Sequence, residues 1–136
     1  MVGRAFVLLR QRPIEDLYAT RAAQSDFLPL HKLPDRFLTI LVGSEDPEFY
    51  RHKGFNLEAM RYAARANHQA GEIVMGGSTI TQQLAKNLYL DFHRKYARKA
   101  VELVIAREAE RKLGKEKILE LFLNTVYYGN LFMKQL

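Results

Sequence analysis

The stretch from Gly76 to Leu88, GGSTITQQLAKNL, passes in one step from a glycine loop to a helix with a polar face. Gly76 and Gly77 leave the backbone free to take positive φ or to let another group come close, and Ser78 or Thr79 suits the N-cap of the helix that follows. At about 100° per residue, Ile80, Leu84, Ala85 and Leu88 line up as an apolar stripe, while Gln83, Lys86 and Asn87 share another side. Arg94 joins that side if the helix runs on. Because the amides of a helix N-terminus attract anions, the stretch predicts hydroxyls, amides and two cations gathered toward an anionic group, phosphate fitting best. A capped surface helix with a solvated face satisfies the same pattern, and these residues alone leave both readings open.

The whole chain sets the bounds. Its 136 residues fit one domain, 1–136, and with 48% hydrophobic and 26% charged residues it reads as globular. A net charge of +6 predicts attraction to a polyanion, whether nucleic acid, an anionic membrane surface or a phosphorylated substrate. With no cysteine, disulfides and thiolate metal sites are excluded. His31, His52, His68 and His93 are too scattered for a zinc-protease motif.

Upstream, the apolar run Phe6 to Leu9 is too short for a membrane span or a signal segment. Pro13 to Gln24 is a helix candidate, and PLHKLP, residues 29–34, a connector. Phe37, Leu38, Ile40, Leu41 and Val42 are apolar nearly all round, which predicts a helix buried in the core. Pro47 ends it between Ser44 and Asp46, since the residue before a proline avoids the α region. That leaves Glu45 and Asp46 at a helix C-terminus, where the macrodipole, a neighbouring like charge and apolar surroundings all disfavour a charged Glu45. Such a carboxyl suits a general base or acid; an exposed Glu-Asp-Pro turn is the plainer alternative. His52 reads as structural, positioning the Glu45 loop.

Asn56 and Gly71 bracket a scaffold helix with a stripe of Leu57, Met60, Ala63, Ala64 and Asn67. Beyond the glycine loop and its helix, DFHRKYARK is basic and aromatic. A helix from about Arg98 to Leu113 follows, with Ile105, Ala106, Ala109 and Leu113 as its apolar stripe and Glu102 in the middle of that side. A carboxylate there is costly unless paired, either with Arg98 at i−4 or as part of a site. Gly114 stops this helix, and KILELFLN, residues 117–124, is core.

In order and spacing these pieces resemble the peptidoglycan glycosyltransferase domain, family 51, of class A penicillin-binding proteins and monofunctional transglycosylases. SEDPEFYRHKGFN is similar to that family's first motif through Glu45, Asp46, Phe49, His52 and Gly54. GGSTITQQLAKNL is similar to the second through Gly76, Gly77, Ser78, Thr79, Thr81, Gln82, Gln83, Lys86 and Asn87. RKAVE, with Glu102, resembles the third motif and KILELFLNTVYYG the fourth. Four motifs in register are specific, and the resemblance runs from about Leu33 to Gly129.

The resemblance implies a mainly α, lysozyme-like domain that polymerises lipid II. Glu45 would deprotonate the acceptor hydroxyl, which attacks the anomeric carbon of a lipid-pyrophosphate donor with inversion. Lys86 and Arg94 would neutralise the leaving pyrophosphate, and Glu102 would organise that site, with a divalent cation, Mg or Mn, as the cofactor to expect and no organic one. Asp46, Ser78, Gln83 and Asn87 would bind substrate. Its implied partners are lipid II, the growing glycan strand and an anionic membrane surface, at the extracytoplasmic face of the cell membrane, with no nucleic acid. Val101 stands where many members carry a polar or basic residue. With no membrane helix ahead of the motifs and no glycine-rich stretch after them, the chain reads as a domain incomplete at its C-terminus, and Leu119, Leu121, Phe122 and Leu123 are then expected as an exposed apolar patch. A lysozyme-like glycan hydrolase would account for Glu45 but not for Lys86 and Arg94. A basic helical nucleic-acid module would account for the charge but not for Glu102 or the glycine loop.

Overall fold

The structure, a computed structural model, describes residues 2–73, 76–90 and 95–127. It holds α1 (Val2–Gln11), α2 (Ile14–Ala22), a 3-10 turn (Leu30–Lys32), α3 (Asp35–Glu45), α4 (Leu57–Ala70), α5 (Ile80–Tyr89) and α6 (Lys95–Phe122), and then a π-helical turn (Leu123–Tyr127). There is no strand among the described residues, so the mainly α expectation stands. Prolines punctuate the chain as their chemistry requires. Pro13, Pro29 and Pro34 sit just before helices, where a fixed φ fits and no helical hydrogen bond is lost. Pro47 follows Asp46, which leaves α3 in an extended conformation. Gly114, at φ 80 and ψ 169, bends α6 where the sequence puts a stop.

Two apolar clusters form the core. One joins Ile14 of α2, Leu41 and Val42 of α3, Phe49, and Ile80 and Leu84 of α5 to the segment from Ile118 to Val126. The other packs Ala5 and Leu9 of α1 against Ala85 of α5 and Val101, Ile105 and Ala106 of α6. Because α5 supplies side chains to both clusters, each worth about 1.5 to 3 kcal/mol for a large aliphatic, it is the most firmly anchored short helix. At the far end, Asn124 clamps the strap after α2: Leu28 N donates to its Oδ1 at 2.8 Å and its Nδ2 donates to Leu28 O at 3.0 Å. Beside it the Tyr18 hydroxyl donates to Glu120, and burial together with that carboxylate pushes the hydroxyl up to about 12.

The opening residues, to which the sequence reading assigned no element, form a helix, α1, whose Ala5 and Leu9, at i, i+4, are buried. Three expectations change. The apolar run of α3 buries one face only, since Ile40 is 61% exposed. Of the α4 stripe, Ala63 alone is buried and Leu57 is 51% exposed. The expected C-terminal patch is overturned: Leu119, Leu121, Phe122 and Leu123 are at most 4% exposed, covered by residues of α2, α3 and α5.

Candidate functional site

Glu45 is the last residue of α3 and half-buried; its Oε2 accepts from Gln83 Nε2 at 3.3 Å. Asp46, one residue on, is buried. Its Oδ2 accepts from the backbone amide of Ile80, at the start of α5, at 3.1 Å, and lies 2.6 Å from His52 Nε2. Gly54 N donates to His52 Nδ1 at 3.0 Å, so Nδ1 is the lone-pair nitrogen and the ring proton sits on Nε2, pointing at Asp46. His52 thus does hold the loop that follows Glu45.

The start of α5 differs from its expected use. Thr79 is the N-cap: Gln82 N donates to its Oγ1 at 3.0 Å while Thr79 N donates to Gln82 Oε1 at 2.9 Å, a capping box. The Thr79 hydroxyl in turn donates to Gly54 O at 2.6 Å. With Ile80 N given to Asp46 and Gln82 N to Thr79, the anion that this helix end attracts is the chain's own carboxylate. Ser78, the other candidate cap, is exposed and accepts from Lys99 Nζ at 3.2 Å.

Glu102 is 4% exposed on the apolar side of α6. Lys99 Nζ stands 2.8 Å from its Oε2, and Gln82 Nε2 donates to the same oxygen at 3.1 Å. The charge partner thus comes from i−3, a residue the sequence pattern did not single out, and the second partner from α5. Lys99 therefore joins Ser78 to Glu102, and Gln82 joins Glu102 to the cap. On the outer side of α5, Gln83 and Lys86 are half-buried and Asn87 is exposed, with Asn87 Nδ2 donating to Gln83 O at 3.0 Å. Arg94 lies outside the described residues. Among the described residues no group of three or more His, Cys, Asp or Glu side chains could hold a metal ion.

The glycine that matters most for this geometry is Gly54. At φ 117 its Cα faces the backbone of α6, and a Cβ there would meet Ala106 C and O and Arg107 N at 2.9 Å. The first motif's turn can therefore lie flat on the helix that carries Glu102. Gly77 approaches α4 in the same way, with a Cβ position 3.0 Å from Met60 Cα.

The site joins a C-terminal helix carboxylate, a capped polar-faced helix and a buried, paired glutamate, in the order of the first three motifs. A model of the transglycosylase family matches residues 10–134. The chain belongs to that family. It is 43% identical over 134 residues to the biosynthetic peptidoglycan transglycosylase of Alcanivorax borkumensis, covering 95% of this chain and 55% of that protein. It is 44% identical over 115 residues to penicillin-binding protein 1A of Aquifex aeolicus, covering 84% of this chain and 16% of the relative. Against penicillin-binding protein 1B of Escherichia coli the figures are 40% over 124 residues, 91% and 15%. The chain thus spans about half the length of the Alcanivorax transglycosylase and a smaller share of the penicillin-binding proteins. Within the family frame, Thr79, Gln82 and Lys99 are the residues that tie the candidate site together from beneath.

Proposed function

We propose that this chain carries the glycosyl-transfer centre of a peptidoglycan transglycosylase acting on lipid II. The observation that carries the reading is Glu45 at the end of α3, held by Gln83 from the helix face that also bears Lys86 and Asn87. In the proposed reaction the Glu45 carboxylate takes the proton of the acceptor sugar hydroxyl as its oxygen attacks the donor's anomeric carbon. The bond from that carbon to the phosphate oxygen breaks, the anomeric configuration inverts, and the lipid pyrophosphate leaves with the electron pair. Lys86 and Arg94 neutralise the leaving group through charge-assisted contacts, and Ser78, Gln83 and Asn87 contact the substrate.

Asp46 and Glu102 take different parts. Asp46, buried with its Oδ2 engaged, is assigned to positioning Glu45 rather than to touching substrate. Glu102 fixes the Lys99 ammonium beside Ser78 and so shapes the pyrophosphate side. Glu102 is a single carboxylate with an ammonium on one oxygen, a donor set that does not make a cation site by itself. A Mg or Mn ion would be held mainly by the substrate's own phosphates. No helix among the described residues is long and apolar enough to cross a membrane. The lipid substrate still places the work at the extracytoplasmic membrane surface, where a net charge of +6 favours anionic headgroups. Family membership leaves the hydrolase and nucleic-acid readings without support.

The test is binding of lipid II against a neutral glycan of the same sugars, in the wild-type chain and in Lys86→Ala. The expected outcome is a loss of about 1.5 to 3 kcal/mol for the pyrophosphate lipid and almost none for the neutral glycan. Equal weakening for both ligands would remove Lys86 from the phosphate site.

A further inference from the structure

Beneath α5 lies a second polar cluster, whose charged pair, Glu110 and Lys115, stands outside the motif residues named above. Glu110 of α6 has a side chain 9% exposed, and its Oε2 accepts from the Thr81 hydroxyl at 2.9 Å and from Lys115 Nζ at 2.7 Å. The same ammonium donates to the backbone carbonyl of His52 at 2.7 Å and lies 4.5 Å over the ring of Phe49. Glu110 Oε2 also stands 3.9 Å from His52 Nδ1, but that nitrogen accepts from Gly54, so no proton lies between them. Two charges therefore join α5, the turn after Glu45 and both arms of α6. Thr81 is two residues from Gln83, which holds Glu45, and His52 holds Asp46, its neighbour.

A mostly buried ion pair is a poor way to gain stability, because desolvation offsets much of the attraction and an apolar pair of similar volume does as well. What it supplies is a fixed direction and a fixed distance. Packing already holds this region: Thr81 and Phe49 are fully buried. We propose that Glu110 and Lys115 are positioning residues for glycosyl transfer, setting the angle between the Glu45–His52 turn and the polar face of α5; the proposal rests on the reading of Glu45 as the base. Since misplacing a reacting group by about 1 Å can cost on the order of 100-fold in rate, a small rotation of the turn would be felt at Glu45.

The experiment pairs Glu110→Gln with Lys115→Met in one variant, which removes both charges and leaves neither unpaired. Thermal unfolding is measured alongside steady-state polymerisation of lipid II, and the backbone amide exchange of Gly54 is followed by NMR. The expected result is an unfolding temperature close to wild type, KM for lipid II within about twofold, kcat lower by about tenfold or more, and faster Gly54 exchange. A kcat within about twofold of wild type, or a change in KM alone, would overturn the proposal. If the double variant does not fold, Thr81→Val takes its place, deleting one hydroxyl; a kcat loss of about threefold at unchanged KM supports the proposal and no loss overturns it. A wild-type chain that transfers no sugar counts against the function reading. The positioning claim is then decided by Gly54 exchange, which is faster in the variant if the claim holds and unchanged if it does not.

Discussion

Helices α4 and α5 flank the same glycine loop, and each begins with a side-chain cap, Asn56 accepting from Ala59 N and Thr79 from Gln82 N. Their burial then diverges. α4 buries Ala63 alone and leaves Tyr62 65% exposed, whereas α5 buries Ile80, Thr81, Gln82, Leu84 and Ala85. The polar residues differ too. Thr81 and Gln82 reach Glu110 and Glu102 of α6, and Ile80 N reaches Asp46 across 34 residues of chain. A cap and a periodic pattern suffice to make a helix, but distant polar partners fix where it lies. The candidate site draws Gln83 and Lys86 from the fixed helix.

The largest difference between the two helices is expected at the glycines that precede them. Gly54→Ala drives a Cβ into the α6 backbone at positive φ, and a loss of about 3 kcal/mol or more is expected from urea unfolding. Gln82→Leu comes next. It leaves Glu102 without an amide donor and Thr79 N without an acceptor in a fully buried place, at a cost of about 2 to 3 kcal/mol. Gly77→Ala meets Met60 Cα at 3.0 Å, nearly as close, yet α4 can give way, so about 1 kcal/mol is expected. Equal losses for Gly54→Ala and Gly77→Ala would show α4 to be as firmly held as α6. The smallest effect belongs to Leu57→Ser on α4, within about 0.5 kcal/mol by thermal melting, because half of that side chain is already in water.

What was legible in the sequence follows from which forces are local. The α5 cap, its stripe, the stop at Gly114 and the two ends of α4 rest on contacts within one or two turns, and each appears where the pattern puts it. The order and spacing of the motifs supplied the family and the candidate acid Glu45. The occupant of the α5 N-terminus was not legible, because Asp46 reaches Ile80 only through the tertiary fold. Nor was the Glu110 and Lys115 pair. At i, i+5 two residues point away from each other on a straight helix, and it is the left-handed Gly114 between them that turns one toward the other. The burial of α1 had a weak signal in Ala5 and Leu9, one turn apart, but which face is covered depends on α6 being there. α3 misled in the opposite sense, since an all-round apolar sequence does not say how many sides have a neighbour.

Glu45 is proposed as the base of glycosyl transfer, held in place rather than holding the fold together. Its most direct test is release of lipid pyrophosphate from lipid II by wild type and Glu45→Gln, with lipid II binding and thermal unfolding measured on the same samples. Glutamine keeps the shape and can still accept from Gln83, but it cannot take the proton. Release slower by about 100-fold or more is expected, with binding and unfolding temperature nearly unchanged. Release within a few fold of wild type, or a loss of activity that merely follows a loss of folding, would contradict it.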